Sequence, residues 1–394
     1  MAALDGMRVL DMTQYEAGTS CTQLLAWLGA DVVKIEPPGR GDPGRGVAHG
    51  TQVSQYFLNY NSNKRGITID LAQPAGRELL LRLAPKYDVF VENYGPGVME
   101  RLEIGYEVMR AVNPRSIYAR MKGFGLSGPY SEYNCYDWVA QAAAGAFSVT
   151  GPRDGPPTMP GPTVGDSGSG VQLALAITAA YVQQQRTGEG QLIELSMQEA
   201  VTLFMRTHGL AQWGEVPAVR VGNRRGAPTD VYPCAPGGPN DYLFIMVVTT
   251  RMWDTLCAVI GHPEFVSDPR FETGPARQEH GDELYEAIAC WTRQRTKHEA
   301  MRDLAGAGVP CSAVLDTQEL FTDPHLVERG LVQTVEHPTA GPVRLMRQPV
   351  RMSGSDVPLV AAPLLGQHTD AVLQADLCLS AEELTALREN GVVG

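Results

Sequence analysis

The first 120 residues alternate short apolar runs with longer helical patterns. Arg8 to Met12 reads as a strand. Ala17 to Leu28 reads as a helix, with Leu24, Leu25 and Leu28 on one face and Gly29 as the stop. Asp31 to Ile35 is the next strand. After a Gly/Pro-rich loop, Gly66 to Leu71 reads as a strand, Pro74 to Ala84 as a helix and Asp88 to Glu92 as a strand. Pro74 sits at a helix start, where a missing N–H costs nothing. A helix over Val98 to Val112 and a strand over Ser116 to Met121 complete the series. Strands separated by single helices need crossover connections, and therefore a largely parallel sheet. The pattern predicts an α/β fold whose large domain is doubly wound and Rossmann-like.

Residues 122–165 are rich in Gly and Pro, with one predicted helix, Tyr136 to Ala144. The run VQLALAITAAYV within Gly170 to Gln185 is apolar all round, so this helix, closed by Gly188, is expected to be buried. Leu192 to Leu195 reads as a strand and Gln198 to Leu210 as a helix. Residues 211–240 hold many Gly and Pro and read as a crossing between domains. A second unit follows, with a strand over Tyr242 to Val248 and helices near Met252–Ile260, Asp282–Trp291, Lys297–Ala305 and Asp323–Arg329. Residues 342–365 look extended, and Ala381 to Glu389 is a last helix. The expected division is a large domain of 1–210 plus 330–394, a linker at 211–225 and a smaller α+β domain at 226–329.

Charge narrows the function classes. With 32 basic and 44 acidic residues the net charge is −12, which argues against non-specific nucleic-acid binding. No segment approaches the roughly 18 apolar residues of a membrane span. The start lacks a signal peptide's layout, so a cytoplasmic location is expected. The seven cysteines are scattered without C-x-x-C spacing, and no His pair has ligand spacing, so reduced thiols and no metal are expected.

Two motifs are weak in context. Gly39, Gly41 and Gly44 fit G-x-G-x-x-G, but Pro37, Pro38 and Pro43 surround them and no helix start follows. Neither a nicotinamide nor a flavin is therefore expected. Gly165-Asp166-Ser167-Gly168 resembles a serine-protease nucleophile segment, yet it opens a helix and fails G-x-S-x-G because position 169 is Ser. Asp166 carries more weight. An Asp before a helix is ordinarily an N-cap, but Asp166, Ser167, Ser169 and Gly170 offer more caps than one helix needs. Gly165, Gly168 and Gly170 read as space for a bulky substrate. A helix N-terminus favours negative charge, which would keep the carboxylate ionised and able to act as a nucleophile.

These residues carry a resemblance. Val9-Leu10-Asp11 with Ala17-Gly18, Leu28 through Glu36, Asn63-Lys64-Arg65 and Val91 through Gly97 appear in order. Lys122-Gly123-Phe124-Gly125, Gly128-Pro129, Tyr136-Asp137, Asp154 through Pro157 and Gly165-Asp166-Ser167 follow. Together they resemble the class III CoA-transferases, the family that includes formyl-CoA:oxalate CoA-transferase and carnitine CoA-transferase-like enzymes. The resemblance implies that the Asp166 carboxylate attacks an acyl-CoA thioester, giving a mixed anhydride and then an aspartyl-CoA thioester, from which an acceptor acid takes the coenzyme. It also implies coenzyme A contacts at Glu16, Ala17, Ile69, Asp70, Leu71, Ala72, Asn93, Tyr94, Gly95, Arg101, Asn134, Cys135, Tyr136 and Asp137. The chain departs from the oxalate-enzyme pattern at Pro37 (Arg there), Ala72 and Asn134 (Lys) and Glu16 (Gln). Arg40 and Lys64 are the nearby cations that could compensate.

At the acceptor site the family's glycine run corresponds to Gly222 through Gly226, and Arg224 and Arg225 stand within it beside Gly226. An Arg fork suits a carboxylate, so a dicarboxylate such as succinate is the expected partner; the alternative is two surface charges on a linker. A second function is a 2-methylacyl-CoA racemase of the same superfamily. Its His falls on Tyr136, and no histidine lies between His49 and His208, which disfavours proton shuttling. A third is a degenerate coenzyme-binding subunit, against which the intact Asp166 motif speaks. The resemblance further implies an interlocked homodimer, or a heteromer with a paralogous subunit.

Overall fold

The computed structural model describes residues 1–47, 54–209, 214–223 and 226–394. The chain divides into two compact units. One holds residues 1–147, 159–217 and 329–394, and the other 148–158 and 218–328.

The first unit is built on a six-stranded sheet of β1 (Arg8–Met12), β2 (Asp31–Glu36), β3 (Arg65–Thr68), β4 (Val89–Glu92), β5 (Ile117–Lys122) and β6 (Leu192–Ser196). The spatial order is β3-β2-β1-β4-β5-β6 and every pair is parallel. This is the doubly wound order, in which the strand sequence reverses direction between β1 and β4. Alternate side chains feed two cores, as a sheet buried on both faces requires. Leu10, Phe90 and Tyr118 point to one, where α3 (Pro74–Leu83) and the helix Thr369–Leu377 contribute Leu79, Leu80, Val372 and Leu373. Val9, Val91, Ile117 and Ala119 point to the other, with Cys21 and Leu25 of α1 (Ala17–Trp27) and Leu173 and Ile177 of the helix Ser169–Thr187.

Several elements differ from the expectation. The segment expected as one helix over Val98 to Val112 is two, Val98–Arg101 and Tyr106–Val112. Glu103 between them has φ +57° and Gly105 is extended, so the first helix ends in a left-handed turn before the second begins. The Ser169–Thr187 helix buries Leu173, Ala174, Ile177 and Ala180 but leaves Val171, Leu175 and Val182 exposed, at 54, 70 and 45%. An all-apolar helix is therefore half-covered within the described residues, not buried. The loop before β3 contains a helix, α2 (Gln55–Asn61), capped by Ser54, whose Oγ accepts the Phe57 N–H at 3.0 Å. The start of the stretch expected to be extended, from Pro342, belongs to an antiparallel hairpin of Val332–His337 with Gly341–Met346, and the stretch beyond it lacks regular elements up to Thr369. The helix expected to reach Leu210 runs over Met197–Phe204, with a short turn at Arg206–Gly209; Leu210 lies outside the described residues.

The second unit packs a three-stranded antiparallel sheet, β7 (Asp230–Pro233), β8 (Tyr242–Ile245) and β9 (Cys311–Ala313), against helices Thr250–Val259, Gly281–Thr292 and Lys297–Ala307. Tyr232, Leu243, Trp253, Leu256, Leu284, Ile288 and Leu304 form its core. Among the described residues no helix is long and apolar enough to cross a membrane.

Candidate functional site

In an open parallel sheet the loops at the strand C-termini diverge where the order reverses, leaving a crevice. Here β1 and β4 are the diverging strands. A cavity of about 190 Å³ lies beyond their C-terminal ends, lined by Gln14, Tyr15 and Ala17 after β1 and by Asn93, Tyr94 and Gly95 after β4. The end of β5 adds Met121, Lys122 and Gly123. Asn134, Cys135, Tyr136, Met197 and Asp166 close it. Asn93 ties the two strand ends together: its Oδ1 accepts the Gln14 N–H at 2.8 Å and its Nδ2 donates to the Gln14 carbonyl at 2.9 Å. Tyr15 sits at φ +58°, a conformation a tyrosine adopts only when its surroundings impose it. Its N–H donates to Asp42, which is ion-paired with fully buried Lys34 at 2.8 Å.

Asp166 lies within a single wide turn, Val164–Gly168, that runs straight into the Ser169–Thr187 helix. It is not an N-cap. The cap position is Gly168, no side chain caps the helix, and the Ser167 N–H donates to the Thr163 carbonyl at 2.9 Å. The turn is fastened from two sides. Asp137, buried at the start of α6 (Asp137–Ala143), accepts the Asp166 backbone N–H on Oδ1 at 2.9 Å and is itself held by Gln141 at 2.7 Å. Glu16, beside the start of α1, accepts the hydroxyls of Thr163 and Ser167, each at 2.6 Å.

The glycines of this segment serve packing rather than substrate entry. A Cβ on Gly165 would lie 2.5 Å from the Asp137 carbonyl oxygen, one on Gly168 3.1 Å from Phe204, and one on Gly170 2.1 Å from Ser20 Oγ. The expected space is already filled by protein.

Electrostatics also differ from the expectation. Burial, with the carboxyl groups of Glu16 and then Asp137 adding to it, pushes Asp166 up to about 8. The preference of a helix N-terminus for negative charge is outweighed, and the carboxyl is largely protonated at neutral pH. Burial, then Asp166 and Asp137, raises the Cys135 thiol to about 11, so it stays a thiol. Tyr56 and Tyr60 of α2 stack edge to face at 5.2 Å, and burial foremost raises both phenols. Glu16 and Asp166 add to that rise at Tyr56, and Glu16 adds to it at Tyr60.

Of the residues singled out in the sequence, the cavity gathers Ala17, Asn93, Tyr94, Gly95, Asn134, Cys135, Tyr136 and Asp166. Glu16 and Asp137 adjoin it as partners of the Asp166 turn. Ile69, Asp70, Leu71 and Ala72 do not line it. They follow β3, two strands from β1, where Ile69 and Leu71 are core residues and Asp70 bonds the Val392 carbonyl through its N–H and Ala72 through its side chain. Arg101 is exposed, its guanidinium near the Pro96 carbonyl at 3.4 Å, at the rim where Pro96 lines the cavity. Lys64 is not available to a phosphate: it is fully buried against Asp11 at 2.9 Å, Asn61 at 2.9 Å and the Thr19 carbonyl at 3.0 Å. Arg40 is exposed and close enough to Tyr94 to act on its phenol. Gly226, at φ +111°, belongs to the second unit, and Arg224 and Arg225 lie outside the described residues. Ser167 donates to Glu16 and, among the described residues, no His lines the cavity, so these residues assemble neither a serine triad nor a His–Asp proton pair there.

Sequence reasoning missed Lys122, Tyr56 and Tyr60. Lys122 donates to Glu92 at 2.9 Å and to the Tyr94 carbonyl while lining the cavity. It stood within a quoted motif; α2 gave no comparable signal because its helix is only seven residues long.

Comparison with known proteins fits this geometry. The model of CoA-transferase family III matches residues 4–369. Formyl-CoA:oxalate CoA-transferase of Streptomyces coelicolor is 40% identical, covering 99% of both chains. The enzyme of that name from Rhodopseudomonas palustris is 39% identical, over 99% of this chain and 97% of its own. A CAIB/BAIF family protein of Brucella suis superposes with a TM-score of 0.84 at 30% identity, covering 95% of this chain and 99% of that one. A Mycobacterium tuberculosis protein superposes with a TM-score of 0.82 at 28% identity, over 94% and 99%. The chain belongs to CoA-transferase family III.

Proposed function

We propose that this transferase moves coenzyme A from an acyl-CoA to a carboxylic acid, with Asp166 as the carboxylate that is acylated in between. One observation carries the reading: Asp166 is the carboxyl group presented to the cavity at the sheet's reversal point, on a turn fastened by Asp137 and Glu16. The minor, ionised fraction of Asp166 reacts: its oxygen attacks the thioester carbon, the C–S bond breaks, and CoA leaves as thiolate. The thiolate attacks the Asp166 acyl carbon of the resulting anhydride, releasing the donor acid and leaving an aspartyl-CoA thioester. The acceptor carboxylate displaces CoA through a second anhydride, whose acceptor carbon the thiolate then takes, regenerating Asp166. Each exchange trades groups of similar energy, so orientation and stabilisation of the tetrahedral oxyanion are what the protein must supply. The first turn of α1, which begins at cavity-lining Ala17 with no side chain capping it, offers N–H groups for that oxygen.

Asn93, Tyr94, Gly95, Asn134 and Tyr136 would line the path of the coenzyme's arm, with Arg101 and Arg40 at the exposed end facing phosphate. Ile69 through Ala72 would meet a more distant part of the molecule. The acceptor is a dicarboxylate, with Arg224 or Arg225 on its distal carboxylate; the names of the relatives make oxalate with formyl-CoA the first pair to assay, and succinate the second. Replacing each arginine by Ala should penalise dicarboxylates selectively, and equal losses for mono- and dicarboxylates would reject that part. The exposed apolar stripe Val171, Leu175 and Val182 supports a dimer, to be checked by sedimentation. The decisive experiment is incubation with acyl-CoA, hydroxylamine trapping and peptide mass spectrometry. Modification is expected at Asp166 and nowhere else, and an active enzyme modified elsewhere would refute the mechanism.

A further inference from the structure

Glu16, beside the start of α1, carries a carboxylate where a Gln amide would have the same length. The exchange matters chemically. A Gln amide both donates and accepts, whereas a carboxylate only accepts. The structure surrounds Glu16 with donors. Thr163 and Ser167, one on each side of the Asp166 position, both give their hydroxyls to Glu16 Oε1, and Glu16 adds to the rise of the Tyr60 phenol of α2. The side chain is 3% exposed. No ligand is needed to explain its contacts; its partners are the turn itself. Resting on the reading of Asp166 as the acylated group, we infer that Glu16 is not a coenzyme contact but a positioning residue. Its carboxylate gathers the hydroxyls of Thr163 and Ser167 to hold the Asp166 turn, and its negative charge opposes a second one on Asp166.

The groups facing Asp166 are few. Glu16 comes from the start of α1, Asp137 from α6, Tyr56 and Tyr60 from α2, and Cys135 from the loop before α6. Tyr15, Tyr136 and Lys122 line the same cavity. Lys122 is the cation of this set, and it is engaged by Glu92 and the Tyr94 carbonyl. Among the described residues, charge at Glu16 therefore meets no free cation lining the cavity on the Asp166 side. Removing it should ease ionisation of Asp166, and a like charge on a neighbouring side chain is worth roughly one to two pH units.

The test follows the Asp166 carboxyl directly. The full chain is labelled with [γ-13C]aspartate, the Asp166 resonance is identified by its loss in Asp166→Asn, and its titration is followed without substrate. In Glu16→Gln the midpoint should fall by roughly one to two units. In Glu16→Asp, which keeps the charge on a shorter stem, it should stay within about half a unit of wild type. Glu16→Asp should nonetheless lower kcat with formyl-CoA and oxalate at least about tenfold, with KM within about threefold, because the hydroxyls lose their anchor. A Glu16→Gln midpoint unchanged from wild type would overturn the inference. So would a Glu16→Gln chain that fails to fold beside a Glu16→Asp chain that folds, since the carboxylate would then serve the fold alone. Because the titration needs no turnover, it can fail while trapping still finds acylated Asp166, and the two readings fall separately.

Discussion

A single methyl group should be enough to disable this site. Gly165 is buried, and a Cβ there would lie 2.5 Å from the Asp137 carbonyl oxygen, 2.8 Å from Asp137 Oδ1 and 3.0 Å from its Cα. Ordinary contact begins near 3.4 Å, so Gly165→Ala falls short by about 0.9 Å against backbone, which cannot rotate away. Either the Asp166 turn or the start of α6 must shift by that amount. The Asp137–Asp166 hydrogen bond, 2.9 Å now, joins the two and would be strained or lost. A misplacement near 1 Å at a reacting group costs about 100-fold in rate, and overpacking costs about 1–3 kcal/mol of stability. The assay is kcat and KM for CoA transfer from formyl-CoA to oxalate, with Tm measured in parallel. Gly161→Ala in the same loop is the control, because nothing lies within 4 Å of its Cβ position. A Gly165→Ala enzyme within threefold of wild-type kcat would refute the claim that Asp137 sets the position of Asp166.

Other outcomes follow from the same contacts. Asp166→Asn should abolish transfer and the trapped acyl-enzyme, while leaving the fold intact by circular dichroism. The same variant should be the more stable protein at alkaline pH. The Asp166 carboxyl is raised to about 8 when folded, so the wild type loses stability as pH rises from the ordinary carboxylate range through about 8. Thermal melts at pH 9 should favour Asp166→Asn by a few degrees and converge near pH 4; parallel melting curves would contradict this. Lys64→Met should destabilise the chain by about 3–5 kcal/mol in urea titration, because Asp11 is left buried without its cation. A loss below 1 kcal/mol would mean that water or another group replaces it. Thr163→Val should lower kcat severalfold without changing global stability by more than about 1 kcal/mol, since it removes one hydroxyl from Glu16.

The strands of the large sheet were legible because they are buried on both faces and read as continuous apolar runs bounded by Gly and Pro, as at Val32-Val33 and Val89-Phe90-Val91. Their spacing by helices was sufficient to imply the parallel, doubly wound arrangement. What escaped lies where local signal conflicts with tertiary context. The break at Glu103 has no proline to announce it, and a left-handed Glu is held there by the fold. The Val332–Met346 hairpin alternates only weakly, and the helix Thr369–Leu377 follows a Pro-rich stretch that masks its start. Apolarity all round the Ser169–Thr187 helix predicted burial, yet sequence cannot say which surface does the covering. Asp166, singled out by its motif, is among the residues that line the cavity. The glycines beside it were visible but misread, because a sequence does not show whether the room left by a missing side chain is open or taken.

The hydrogen bond from the Ser167 N–H to the Thr163 carbonyl has a chemical consequence. An aspartate activated as an anhydride or thioester is a good electrophile, and its nearest nucleophile is the peptide nitrogen of the following residue. Attack there closes a five-membered succinimide and kills the enzyme. In the Asp166 turn that nitrogen is engaged through its hydrogen at 2.9 Å and held within the wide turn. On the proposed mechanism, the same wide turn that presents the carboxyl to the cavity would also protect the protein from its own activated intermediate.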